Sequence, residues 1–215
     1  MDKAFLFSLS VLIPAVIGLI RFRHVDDSYR IFIVFLWLGF IAEIANRLLI
    51  VTMKTNAPSW NIYNVLEFLI LMTLFRKWQV WKGRERWYLP FLIFSLLIWI
   101  ADVFIFGNIK QFNSYFGIYY CFIIVMFAIT NLNKQITTEK GDIIRSPQFI
   151  ICIGLTIFFT YRLFVEVSLM PVFSISRDFF QRVFDIQVYV NLLVNLIYAI
   201  AILCLPRKRI YINSF

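Results

Sequence analysis

Residues 31–53 read IFIVFLWLGFIAEIANRLLIVTM. A membrane core about 30 Å thick is crossed by roughly 17–25 apolar residues in helical form. This stretch has that length. Its first ten residues carry no charged or amide side chain, and its second half carries Glu43, Asn46 and Arg47. Glu43, Asn46 and Arg47 stand at i, i+3 and i+4, which places them on one stripe of a helix.

Six further segments share this character, at residues 4–20, 60–75, 88–106, 115–132, 149–170 and 179–205. The third span, 60–75, is short and is expected to run on through Trp78. The last is long and is expected to tilt. The runs are solidly apolar rather than alternating, which favours helices over a barrel. The sequence therefore predicts an all-α integral membrane protein: a seven-transmembrane-helix bundle forming one domain over residues 1–215. No soluble domain is expected, because the links are short. The first span is not expected to be a cleaved signal peptide, since Arg21 and Arg23 follow its apolar run.

Composition agrees. Hydrophobic residues make up 61% of the 215 and charged residues 15%, where a soluble domain has about 25% charged. A soluble globule, a disordered chain and a disulfide scaffold are excluded. Cys121, Cys152 and Cys204 lie in apolar stretches and are expected to be buried small hydrophobes. Pro14 is expected to kink the first span.

The net charge of +9 is not a nucleic-acid signal, because the cations sit at loop edges. One side collects Arg21, Arg23 and Arg30, then Arg76, Lys77, Lys82, Arg84 and Arg86. It also collects Lys134, Lys140 and Arg145, and the tail's Arg207, Lys208 and Arg209. The other side has Lys3, Lys54, Lys110 and Arg177. A bias of fourteen to four predicts the N-terminus outside and the C-terminus in the cytoplasm. The expected location is a prokaryotic cytoplasmic (inner) membrane.

With that orientation the intramembrane polar residues gather in the outer half. Span two contributes Glu43, Asn46 and Arg47, and span three Asn61, Tyr63, Asn64 and Glu67. Span four contributes Asp102, span five Tyr115, Tyr119 and Tyr120, and span six Arg162 and Glu166. Span seven contributes Arg182, Asp185, Gln187, Asn191 and Asn195. A charge at helix centre costs roughly 2.5–3.5 kcal/mol on insertion scales, so such groups face each other or a wet cavity. The expected object is a polar pocket in the outer half, closed below by an apolar plug. Its expected ligand-binding residues are Glu43, Asn46, Arg47, Asn64, Glu67, Asp102, Arg162, Glu166, Gln187, Asn191 and Asn195. Arg162 and Glu166 form an i,i+4 pair, and Gln187, Asn191, Asn195 and Tyr198 form one stripe. Each of these groups also has a structural reading as glue between helices. The tyrosines of span five have an alternative as interface anchors.

Five acids against three cations leave the expected pocket short of positive charge. Either some carboxyls hold protons, or a cation or amine completes the site. No catalytic residue, metal site or cofactor is expected. No predicted span contains the lysine that retinal proteins need, and His24 is the single histidine. Three functions remain open. The first is a receptor-like sensor of a small polar or cationic ligand, with a cytoplasmic protein partner at the basic loops and the lipid bilayer around it. The second is a secondary transporter of such a solute. The third is an intramembrane enzyme acting on a lipid-like substrate.

Overall fold

The computed structural model describes residues 3–138, 143–170 and 176–206. Lys140 and the tail cations Arg207, Lys208 and Arg209 lie outside the described residues. Every regular element among those described is a helix. Helix α1 (Lys3–Ser8) passes through a 3-10 turn (Leu9–Val11) into α2 (Leu12–Arg21). Helices α3 (Asp27–Met53) and α4 (Ala57–Lys77) follow. Helix α5 (Tyr88–Ile100) runs on into a π turn (Ala101–Phe106). Helices α6 (Tyr115–Thr138), α7 (Pro147–Ser168) and α8 (Arg177–Leu203) complete the set. These elements fall on the seven expected segments.

Among the described residues five helical segments are long and apolar enough to cross a membrane: Asp27–Met53, Glu85–Phe106, Tyr115–Thr138, Pro147–Ser168 and Asp178–Leu203. The first and third expected spans differ for physical reasons. Pro14 has no N–H to offer the Ser10 carbonyl one turn earlier, and the 3-10 turn sits just upstream of it. The helical path is thereby split into two short pieces. Helix α4 is long but polar in its first half, with Trp60, Asn61, Asn64 and Glu67. Its second half supplies a core face: Phe68, Leu71, Met72, Leu74 and Phe75 have no exposed surface.

Successive packing joins α2, α3, α4, α6, α7 and α8 into a closed ring, because α8 returns to pack on α2. Helix α5 lies outside. The Trp99 indole donates to the Asn61 carbonyl of α4 at 3.0 Å, and the Ser95 and Tyr119 hydroxyls meet at 2.9 Å. Its outer stripe of Leu89, Ile93, Leu97 and Ile100 is exposed. An apolar surface of this kind suits hydrocarbon rather than water.

Side-chain bonds show that α2 and α8 run in the same direction. Near the start of the chain, the Ser10 hydroxyl accepts from Asn195 in the middle of α8, at 2.8 Å. Arg21, at the end of α2, donates to the carbonyls of Ile202 and Leu203 at the end of α8. A cation there also matches the negative end of the helix dipole. The bundle thus has a Lys54 end, where α3 stops and α4 starts, and a Trp78 end, where α4 stops. Cys121 and Cys152 are buried as expected. Cys204 is exposed, because it caps the end of α8 instead of sitting within the ring.

Tight helix contact depends on Gly154 of α7. A Cβ there would stand 2.5 Å from the Tyr198 ring of α8. Gly154→Ala is expected to lower stability by about 1–2 kcal/mol, overpacking outweighing the gain in helix propensity. Gly39→Ala, whose nearest neighbours stand at 3.7 Å, is expected to leave it unchanged or higher. Thermal unfolding of both variants in detergent checks this.

Candidate functional site

The polar residues that α4 and α7 carry toward the Lys54 end meet in the interior. Trp60, Tyr63, Asn64 and Glu67 stand at i, i+3, i+4 and i+7, one face of α4. That face receives Arg162 from α7. Arg162 Nη1 donates to Glu67 Oε2 at 2.6 Å, and Nη2 donates to Asn64 Oδ1 at 2.6 Å. The two ions are 3% and 0% exposed. Glu67 is held from two more sides. The Tyr63 hydroxyl donates to Oε1 at 2.6 Å and the Tyr120 hydroxyl to Oε2 at 2.9 Å.

Aromatic rings enclose the guanidinium. Its carbon lies 4.5 Å from the centre of the Trp60 ring and 5.3 Å from that of Tyr120. Tyr63 and Phe158 stand at 5.8 and 5.9 Å. Ring faces attract cations, with about 2 kcal/mol or more when the pair is desolvated. The aromatic box thus offsets part of the cost of burying the charge.

Arg162 does not reach Glu166, one turn along its own helix. Helical side chains lean toward the N-terminus, and that direction takes Arg162 over Phe158 and across to α4. The Glu166 carboxylate is 1% exposed, and neither oxygen makes a hydrogen bond among the described residues. Ser114 and the Trp60 indole lie beside it without hydrogen-bond geometry. Gly117 of α6 presses against it, where a Cβ would stand 2.6 Å from the carboxyl carbon.

The remaining expected residues divide. Asp102 is buried, but its Oδ2 accepts the Phe116 backbone N–H at 2.9 Å and so caps the start of α6. Asp102 lies in the π turn that ends this helical path. Asn195 donates to Ser10 and to Asn191 Oδ1, at 2.8 and 3.3 Å, which ties α8 to the first helical path. Glu43 is half-buried, lies against Ser8 and faces the field of Arg162. Arg47 stacks on Phe5 at 5.4 Å. Asn46 Oδ1 and Gln187 Oε1 are buried without a hydrogen-bond partner. Arg182 and Asp185 are exposed and stand outside the centre. That leaves Glu43, Glu67, Asp102 and Glu166 against Arg47 and Arg162, still an excess of acid.

Four contributors were not among the expected ligand residues: Trp60, Tyr63, Tyr120 and Phe158. Tyr63 and Tyr120 stood among the polar residues of the outer half, and Trp60 continues the Tyr63, Asn64 and Glu67 face at helical spacing. Phe158 carries no local signal. Asn61 plays a different part, donating to the carbonyls of Ile109 and Gln111 at 3.1 and 2.8 Å and so fixing the α5–α6 loop. Among the described residues no three His, Cys, Asp or Glu side chains gather closely enough to hold a metal ion. Comparison with protein families, curated proteins and solved structures finds no match to this chain.

Arg162→Met alone is expected to destabilise by about 3–5 kcal/mol, because it strands the Glu67 carboxylate. The double change Arg162→Met with Glu67→Met is expected to recover most of that loss. Asp102→Ala is expected to cost roughly 0.5–2 kcal/mol through the lost cap. Unfolding in detergent of the single and double variants checks all three.

Proposed function

We propose that the chain is a seven-span membrane protein, a receptor-like sensor whose polar centre binds a small polar or cationic ligand. In this reading α1 with α2, and α4, supply the two further spans. The N-terminus faces outward and the Trp78 end faces the cytoplasm, following the cation bias of the loops.

The observation that carries the reading is the Glu166 carboxylate, buried with neither oxygen hydrogen-bonded among the described residues. A buried acceptor without a partner costs about 1–3 kcal/mol, more when charged. Asn46 Oδ1 and Gln187 Oε1 are two more such acceptors in the same half. The groups awaiting partners there are chiefly acceptors, so the matching ligand is a donor, such as an ammonium or a polyol. The excess of acids points the same way.

Binding would work through the joint between α4 and α7. A donor engaging Glu166 pulls on α7, and Arg162 couples α7 to α4 through Asn64 and Glu67. Helix α4 ends at the Trp78 loop, where Lys82, Arg84 and Arg86 are exposed. Those cations form the docking face for a cytoplasmic protein partner. A ligand shifts such an equilibrium only by its differential affinity for the two arrangements.

Thermal unfolding of the purified protein against small amines and polyols tests the site. A ligand at about 100 times its Kd stabilises by about 2.7 kcal/mol. The expected result is a ligand-induced rise in Tm that Glu166→Gln abolishes. If no amine or polyol raises the Tm, or if Glu166→Gln leaves the rise intact, the reading fails. Flux into proteoliposomes by the same ligand would make the protein a transporter instead. Orientation is read from Cys204. A membrane-impermeant maleimide is expected to label it only after the cells are opened.

A further inference from the structure

A shallow groove of about 340 Å³ runs along the outer face between α3 and α4. Its floor is Ile31 and Val34 from α3 and Leu69, Ile70 and Thr73 from α4. The Thr73 hydroxyl is turned back on the Leu69 carbonyl at 2.8 Å, so the floor presents its methyl and its neighbours' hydrocarbon. Arg30 closes one end. On α4, Ile70, Thr73 and Lys77 stand at i, i+3 and i+7, so Lys77 continues the same stripe. From Leu69 to Lys77 this stripe spans roughly 12 Å. Arg30 opens α3 and Lys77 closes α4, which brings both cations to the Trp78 end.

Arg30 is held in place without being used up. Its Nε donates to the Phe22 carbonyl at 3.2 Å and its Nη1 to Asp27 at 3.0 Å. Its guanidinium also stands 5.8 Å from the Phe22 ring centre. Among the described residues its Nη2 makes no hydrogen bond. Lys77 is exposed. Asp26 and Asp27 are the acids nearby, both exposed. Arg23, Arg76 and Lys77 outnumber them at this end.

We propose that this groove binds one anionic phospholipid, with an acyl chain along Ile31, Val34, Leu69, Ile70 and Thr73 and its phosphate between Arg30 and Lys77. An apolar trough the length of a chain segment, headed by two cations, complements a phospholipid at both ends. A helix from a protein partner would fill the trough but gives no role to the paired cations. A free phosphate would use the cations but gives no role to the trough. The site is independent of the Glu166 centre.

Native mass spectrometry of the detergent-purified protein, titrated with phosphatidylglycerol or with phosphatidylcholine of the same chains, tests the proposal. A surface cation contributes about fivefold to binding of an acidic lipid, so removing both lowers affinity roughly 30-fold. The expected result is preferential retention of phosphatidylglycerol. Arg30→Gln with Lys77→Gln is expected to lower it to the phosphatidylcholine level. Val34→Trp, which fills the trough and leaves both cations, is expected to weaken both lipids. Equal retention of the two lipids by the native protein overturns the proposal. So does an unchanged preference in the double variant while Tm is unchanged. Inorganic phosphate binding that Val34→Trp does not affect, with no lipid preference, would mark a free-anion site and also overturn it.

Discussion

Two opposite charges held 2.6 Å apart in the interior of an apolar bundle set the conditions for everything around them. Neither Arg162 nor Glu67 is stable there alone, since an isolated buried ion costs several kcal/mol. Each needs its partner, and the partner needs further donors or acceptors. Asn64, Tyr63 and Tyr120 supply these, and Trp60 and Phe158 wall them in. The pair therefore dictates the composition of α4. A helix that must satisfy a guanidinium cannot be uniformly apolar. Its polar face has to be covered by other helices, and α6 and α7 do so with Tyr120, Phe158 and Arg162. Helix α5, which carries no part of the ion pair, is left on the outside.

The helices were legible because membrane hydropathy and helix length are local properties. Residues 31–53, 115–132 and 149–170 announced themselves by composition alone. Pro14 marked the broken first segment. Asn61, Tyr63, Asn64 and Glu67 marked the polar half of α4. What could not be read was choice among partners. Arg162 had Glu166 one turn away in sequence and takes Glu67, 95 residues distant. Only the lean of the side chain and the placement of α4 decide that. Asp102 looked like a member of the polar centre, yet it serves the backbone of α6. It lies in a π turn that no periodicity of apolar residues reveals. Arg182 and Asp185 lie near the start of α8, where a small change in depth separates an interior position from an exposed one.

The polar groups of the Lys54 half are unevenly satisfied, and the pattern is informative. Glu67 accepts three hydrogen bonds and Asp102 one from the backbone. Among the described residues the Glu166 oxygens and Gln187 Oε1 have none. In the receptor reading proposed above, that unevenness is what lets a bound donor move α7 while α4 holds still.

The bonds between the earliest and latest helices carry a consequence for biogenesis. Asn195 reaches Ser10 across 185 residues, and Arg21 reaches Ile202 across 181. During synthesis α2 leaves the ribosome long before α8 exists. Until then the polar face around Ser10 and the guanidinium of Arg21 must wait without their final partners, and the ring cannot close. Closure of the ring is therefore gated by α8, and long-range contacts of this kind are the slow ones to form. A nascent chain stalled before α8 is an open horseshoe with its inner seam uncovered. It would be the species most visible to insertion chaperones and membrane proteases.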